Sequence, residues 1–183
     1  MTTANKLTIL RMALIPVFLG VLYADFPASR YVALIVFVAA SLTDFADGYI
    51  ARHYNQITDF GKFMDPLADK VLVMAAMCWF VERGRMPGWV LALVLLREFA
   101  VSGMRLVAVE QGRVIAAGWS GKVKTAATMV CLILMLLFPA PNPIYDSAPD
   151  FIAVIGNVVI VATTLYSGAE YFIKNRDVFK NAK

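Results

Sequence analysis

The sequence predicts an all-α integral membrane protein. Residues 1–183 form a single domain of six transmembrane helices with a short N-terminal surface helix. Three observations predict this. Hydrophobic residues make up 60% of the chain and the mean hydropathy is +0.69, well above the apolar share of a soluble domain. A core of this size cannot hide so much apolar surface, so the bilayer is the expected solvent. The apolar residues fall in six runs, at 10–23, 30–52, 63–81, 87–110, 123–138 and 151–172, each long enough to cross or nearly so. Finally, Lys and Arg sort to alternate connections between these runs.

Residues 2–7 are polar enough for a helix on the membrane surface. The next stretch, TILRMALIPVFLGVLYA, has the basic flank and apolar body of a signal peptide. A signal peptide would precede a soluble remainder, whereas here more apolar runs follow, so it is read as the first membrane helix. Pro16 does not break it, since membrane helices tolerate proline where neighbours resatisfy the backbone. The second and third runs are joined by a short connection, which makes them antiparallel neighbours. The fourth embeds Arg97, Glu98 and Arg105 in apolar sequence; Glu98 calls for a cation, with Lys70 as a candidate. Lys122 and Lys124 sit at the cytoplasmic start of the fifth, and the sixth is almost wholly apolar. Cys78 and Cys131 sit inside apolar runs and read as buried thiols. The lone His53 excludes a His-rich zinc motif. Tyr23, Trp79 and Trp89 read as aromatic-belt anchors. The nine methionines read as lipid-facing filler.

With the N-terminus placed in the cytoplasm, one side holds Lys6, Arg11, Arg52, Lys62, Arg105, Arg113, Lys122, Lys124 and the basic tail. The other side holds Arg30, Arg83 and Arg85, and the loop PAPNPIYDSAPD there has no basic residue. Both termini are then cytoplasmic. Asp44, Asp47, Asp65 and Asp69 fall at the cytoplasmic ends of the second and third helices.

Ionised groups in lipid cost at least a few kcal/mol each, so four acids at the edges of apolar helices need a reason. Asp44 and Asp47 are three apart, and Ala51 continues their stripe four further on. Gly61, Asp65 and Asp69 are spaced four and four on the next helix. Two acidic stripes on neighbouring helices repel unless cations sit between them. Oxygen-only ligands select hard ions such as Mg2+ or Mn2+, and a paired site suits phosphoryl chemistry. Gly48, Ala51 and Gly61 let a ligand or helix approach the backbone, and Arg52 offers a planar fork to phosphate. Single aspartates near helix ends are often caps, and Asp59 in the connecting loop reads as one.

The stretch DFADGYIAR, eight residues, then GKFMDPLAD is similar to the signature of the CDP-alcohol phosphatidyltransferase family, DxxDGxxAR followed by GxxxDxxxD, with every fixed position present. NKLTILRMALIP resembles the family's N-terminal stretch. REFAVSGMRLVAVEQGRVIAAGWSGKVKT resembles the branch that joins CDP-diacylglycerol to sn-glycerol 3-phosphate. The last two helices match only in character. The resemblance implies transfer of a phosphatidyl group from CDP-diacylglycerol to glycerol 3-phosphate with release of CMP, the first committed step toward phosphatidylglycerol and cardiolipin. It also implies six membrane helices in a bacterial-type inner membrane, a cytoplasmic active site, a homodimer, and dependence on Mg2+ or Mn2+, as two ions. By matching position, Asp44, Asp47 and Asp65 are implied metal ligands, and Asp69 the general base and a further ligand. Gly48, Ala51, Arg52 and Gly61 are implied contacts to the cytidine diphosphate.

An acceptor that carries a phosphate needs a basic pocket. Arg105, Lys122 and Lys124 are the candidates for glycerol phosphate, although the positive-inside pattern alone also explains basic residues at that end. Asn5, Thr8 and Arg11 are placed to reach the nucleotide or lipid phosphates, and Arg11 reads equally as a surface anchor. No Ser–His–Asp or Cys–His set is apparent, and nothing points to nucleic acid as a partner. Two other readings stand beside this one: a different acceptor, such as serine, inositol phosphate or phosphatidylglycerol, and a small cation transporter. The transporter reading lacks the matched broken helices or similar halves of that class.

Overall fold

The computed structural model describes residues 3–24, 26–53, 59–113, 115–116, 118–138 and 150–180, and their side chains except at 3–8, 44–53, 59–66, 69 and 179–180. The described residues are helical, with no strand among them. The helices are α1 (Thr3–Tyr23), α2 (Ser29–His53), α3 (Asp59–Glu82), α4 (Gly88–Glu110), α5 (Trp119–Leu137), α6 (Phe151–Lys174) and a short α7 (Asp177–Lys180). They group into two compact units, Met1–Phe80 with Ile133–Pro139, and Val81–Leu132 with Ala140–Lys183.

All six expected long helices are present. Two of them, α5 and α6, are long and apolar enough to cross a membrane by themselves among the described residues, while Ile9–Tyr23 and Ser29–Thr43 are shorter apolar stretches. The outward surface is apolar: Ile35, Leu42, Leu96, Phe99, Leu106, Ile155 and Val158 are each more than 60% exposed. Such surface marks a membrane or partner face rather than a soluble exterior, and with the apolar helices it suggests membrane association.

In the first unit, α1 and α2 form an antiparallel hairpin, closed by a turn in which the Ser29 N–H donates to the Phe26 carbonyl. The buried face of α1 is Arg11, Ile15, Phe18 and Leu22, and that of α2 is Ala33, Phe37 and Ala40. Their spacings of three and four mark one stripe on each helix. Phe18 and Phe37 meet as tilted rings 5.6 Å apart. The polar N-terminal segment is the first part of α1, not a separate surface helix. Nothing in its backbone chemistry stops the helix where hydropathy changes. Likewise Asp59 opens α3 instead of lying in a loop.

In the second unit, α4 packs against α6 and α7. Val101, Met104, Ala108, Tyr171 and Val178 form a buried cluster. Before the start of α4, Arg85 bonds Asp150, the residue that caps α6. Past the end of α4, the Gln111 amide donates to the Val178 carbonyl. The matching ends show that α4 and α6 run parallel, as alternate crossings do. The C-terminus of α4 closes in a Schellman motif: Arg113 N–H donates to Ala108 O and Gly112 N–H to Val109 O, with Gly112 at φ 72°. A side chain at that left-handed position would be strained. The sequence reading started α5 at 123, but the helix begins at Trp119 and takes in both lysines.

Several surface expectations are corrected. Trp79 is buried, edge-on to Phe80, instead of anchoring an interface, whereas Trp89 and Tyr23 are exposed. Cys131 is buried but Cys78 is exposed. Met77, Met86, Met104 and Met135 fill core positions, as a flexible thioether suits.

Candidate functional site

The acidic stretch lies on regular helix. Asp44, Asp47, Gly48, Ala51 and Arg52 belong to the last turns of α2, and Gly61, Asp65 and Asp69 to the first turns of α3. The side chains of Asp44, Asp47, Ala51, Arg52, Asp65 and Asp69, and those of Asn5 and Thr8, lie outside the described residues. Their backbone register is described, and it is informative.

On α2 the fully buried residues Ala33, Phe37 and Ala40 lead at spacings of four and three into Asp44, Asp47 and Ala51. On α3, Gly61, Asp65 and Asp69 lead into buried Leu72, Ala76 and Phe80. By register, each acidic stripe falls in line with the buried positions of its helix. Just before Asp44, the hydroxyls of Ser41 and Thr43 donate to the carbonyls of Phe37 and Ala40 at 2.8 and 2.7 Å. They are satisfied within the helix, which keeps the polar character of this end in the aspartates.

Helix α1 brings a cation to the same level. Counting from the Phe18–Phe37 contact, seven residues toward the N-terminus of α1 reach Arg11, and seven toward the C-terminus of α2 reach Asp44. On antiparallel helices these steps match, at about 10 Å each. Arg11 is fully buried, so it is not a surface anchor. Thr8 continues its stripe one turn further out, with Asn5 at the edge of the stripe.

The basic candidates of the second unit separate. Lys122 is exposed. Lys124 is buried and donates to Glu98 Oε1 at 2.9 Å. Arg105 donates from Nε to the Tyr171 hydroxyl at 3.0 Å, with its guanidinium 5.5 Å from the centre of that ring. Glu98 Oε1 also accepts from Arg97 Nη1 at 2.9 Å. Sequence reasoning identified the embedded charges, but not that Arg97, Glu98 and Lys124 meet. Buried Tyr171 was missed as well; its place on the inward stripe of α6 with Ile160, Thr164 and Ser167 is the signal that marks it.

Among the described side chains no group of three or more His, Cys, Asp or Glu comes together as a metal site. The carboxylates of α2 and α3 remain the donor set on which to test a metal. All-oxygen donors of this kind fit a hard divalent ion.

Known proteins match this chain along nearly its whole length. The family model for CDP-alcohol phosphatidyltransferase matches residues 1–168. A Bacillus subtilis protein named CDP-diacylglycerol–glycerol-3-phosphate 3-phosphatidyltransferase is 40% identical over 97% of both chains. An Escherichia coli protein of the same name is 42% identical over 73% of this chain and 75% of its own. A Mycobacterium tuberculosis protein named as a probable phosphatidylglycerophosphate synthase is 38% identical over 92% of this chain and 78% of its own. With the complete motif on the last turns of α2 and the first turns of α3, this chain belongs to the CDP-alcohol phosphatidyltransferase family.

Proposed function

We propose that this chain transfers the phosphatidyl group of CDP-diacylglycerol to sn-glycerol 3-phosphate, yielding phosphatidylglycerophosphate and CMP. The observation that carries this reading is the near end-to-end identity to a relative named for that reaction. The register of the aspartates supplies a physical reason for it.

Asp44, Asp47, Asp65 and Asp69 would hold Mg2+ or Mn2+, as two ions. The metal would supply neutralisation of the donor's pyrophosphate charge. Asp69 acts as general base, its carboxylate taking the proton of the acceptor hydroxyl. The freed oxygen attacks the phosphorus that carries diacylglycerol, in line with the anhydride oxygen. The new P–O bond forms as the anhydride P–O bond breaks, and CMP leaves with the bonding electrons. No covalent enzyme intermediate is needed. Gly48, Ala51, Arg52 and Gly61, with Asn5 and Thr8, receive the cytidine diphosphate. Arg105, Lys122 and Lys124 serve the glycerol phosphate.

The donor's acyl chains belong in lipid and its nucleotide in water. A site at the cytoplasmic ends of six membrane-crossing helices, in an inner membrane with both termini in the cytoplasm, serves both. The parallel run of α4 and α6 supports that topology. The functional unit is a homodimer. Incorporation of radiolabelled glycerol 3-phosphate into lipid, with and without Mg2+, tests the proposal. Wild type incorporates label only with the cation, and Asp69→Asn is reduced to background. Equal incorporation by both proteins refutes the role of Asp69.

A further inference from the structure

Where the first turns of α5 meet the last turns of α6, within the second unit, lies a cavity of about 470 Å3. Trp119, Ser120 and Val123 line it from α5, and Thr163, Tyr166 and Glu170 from α6. None of these residues has a part in the phosphatidyl transfer described above. The volume is that of a small-molecule site.

The walls set its polarity. Trp119 and Tyr166 are 78% and 68% exposed. Large amphipathic rings left open at a helix end that leads into Lys174 and Arg176 suit the boundary between lipid and water. Glu170 is the one ionised group in the lining, and its side chain is only 25% exposed. It accepts from the Ser120 hydroxyl across the cavity and from the Lys174 ammonium one turn on. That ammonium reaches it from the open side, on a side chain that is 70% exposed, and so exposed a pair costs little to exchange. The Thr163 hydroxyl donates to the Val159 and Ile160 carbonyls and is satisfied within its own helix. One carboxylate and two π faces attract a cation and repel an anion.

Beyond the cavity the two helices present apolar surface. On α6, Phe151, Ile155 and Val158 are exposed at spacings of four and three, and Tyr166 follows eight further on. On α5, Val123 and Val130 are exposed seven apart. These spacings mark one stripe on each helix, and the run from Phe151 to Tyr166 is about 22 Å long. A soluble cation would use the polar end and leave this run uncovered. An anionic lipid would set a second negative charge beside Glu170. A lipid with a cationic headgroup uses both parts.

We infer that this cavity binds a phospholipid whose headgroup ends in a primary ammonium. The ammonium donates to Glu170 and lies against the Trp119 and Tyr166 rings. Lys174 turns from Glu170 to the lipid phosphate, and the acyl chains follow the apolar run. The inference does not depend on which acceptor the enzyme uses.

The test is native mass spectrometry of the full-length protein released from detergent, with phosphatidylethanolamine or phosphatidylglycerol of identical acyl chains added stepwise. Wild type is expected to bind its first phosphatidylethanolamine about tenfold more tightly than phosphatidylglycerol, the scale of one charge-assisted hydrogen bond. Glu170→Gln abolishes that preference. Trp119→Leu keeps every charge and reduces the preference by about threefold, the scale of one cation–π contact. Phosphatidylcholine, a cation without N–H donors, binds between the other two. Equal affinity for the two lipids in wild type, or a preference that survives in Glu170→Gln, overturns the proposal. Glycerophosphoethanolamine, which has no acyl chains, is expected not to compete at the same concentration; equal binding would make the ligand a soluble amine and overturn the lipid. Loss of the dimer in Trp119→Leu with the lipid preference unchanged would give this face to a second copy of the chain and overturn the proposal as well.

Discussion

Asp150 and the four aspartates of α2 and α3 are carboxylates at the ends of apolar helices, yet their surroundings differ. Asp150 Oδ1 caps α6 by accepting the Ala153 N–H at 3.0 Å, and Oδ2 accepts from Arg85 Nε at 2.5 Å. The Arg85 carbonyl in turn accepts from the Asn157 amide at 2.9 Å. One acid meets one base and a helix N-terminus. The last turns of α2 and the first turns of α3 instead carry four acids in helical register, and counting along the α1–α2 hairpin puts buried Arg11 level with Asp44. The comparison teaches how to tell a structural carboxylate from a functional one. The first finds its counter-charge inside the fold, and the second, on the function proposed above, takes it from a bound cation.

The largest effect expected from this contrast is at Asp65. Asp65→Asn should lower phosphatidyl transfer by more than about a hundredfold, beyond what disturbing an outer-shell partner costs. In EDTA the same substitution should raise the melting temperature, because it relieves like-charge repulsion. Mg2+ should stabilise wild type more than the variant. Thermal unfolding in detergent with and without Mg2+ checks this. An Asp65→Asn protein less stable than wild type in EDTA would place Asp65 with Asp150 as a structural carboxylate.

Much of this contrast was legible in the sequence. The six long helices and the two acidic stripes follow from spacing alone, and the structure keeps the helix bounds within about four residues of the expected ones, the N-terminus of α1 excepted. The misses share a cause. Hydropathy separates polar from apolar sequence, whereas a helix stops only where its backbone is capped or broken. The polar turns of α1 and the lysine-bearing start of α5 were therefore cut away. In the same way, Arg11 and Lys124 look like surface charges, yet both are buried, because burial depends on which face of a helix meets protein. Glu98 and Lys124 are 26 residues apart, and no local pattern pairs them. The reverse error holds for Trp79 and the core methionines, whose types suggest lipid and whose helix faces point inward.

The next effect in size is at Asp150 itself. Asp150→Asn keeps a capping oxygen but loses the ion pair to a largely buried Arg85, whose side chain is 6% exposed. The expected loss is about 2 kcal/mol, with and without Mg2+, while transfer per folded molecule is retained. The pH dependence has a definite sign. Burial pushes the Asp150 carboxyl up. The hydrogen bond and charge of Arg85, with the N–H groups of Ala153 and Ile152, outweigh that and hold it below the ordinary range. Its folded value therefore lies below its unfolded one, so the stabilisation is complete above the ordinary aspartate value of about 3.9 and is lost as pH falls through the folded value. The gap in melting temperature between wild type and Asp150→Asn should be constant from neutral pH to about 5, begin to narrow below about 4, and vanish once pH lies below the folded value. A gap that does not begin to narrow as pH falls below about 4 would mean that the cap, not the ion pair, carries the effect.

The smallest effect separates the two kinds of charge within one contact. Arg105 donates to the Tyr171 hydroxyl and also lies over its ring. Tyr171→Phe removes the hydroxyl and keeps the ring, so the cation–π part survives and about 1 kcal/mol of hydrogen bonding is lost. If Arg105 were only a structural cation like Arg85, that loss would appear as a slightly lower melting temperature and no change in KM. If Arg105 serves the acceptor, Tyr171 orients the guanidinium, and the variant should show a KM for glycerol 3-phosphate about threefold to fivefold higher with kcat unchanged. Measuring the two constants together places Arg105 on one side of the comparison, because a side chain that waits for a substrate is felt in KM before it is felt in stability.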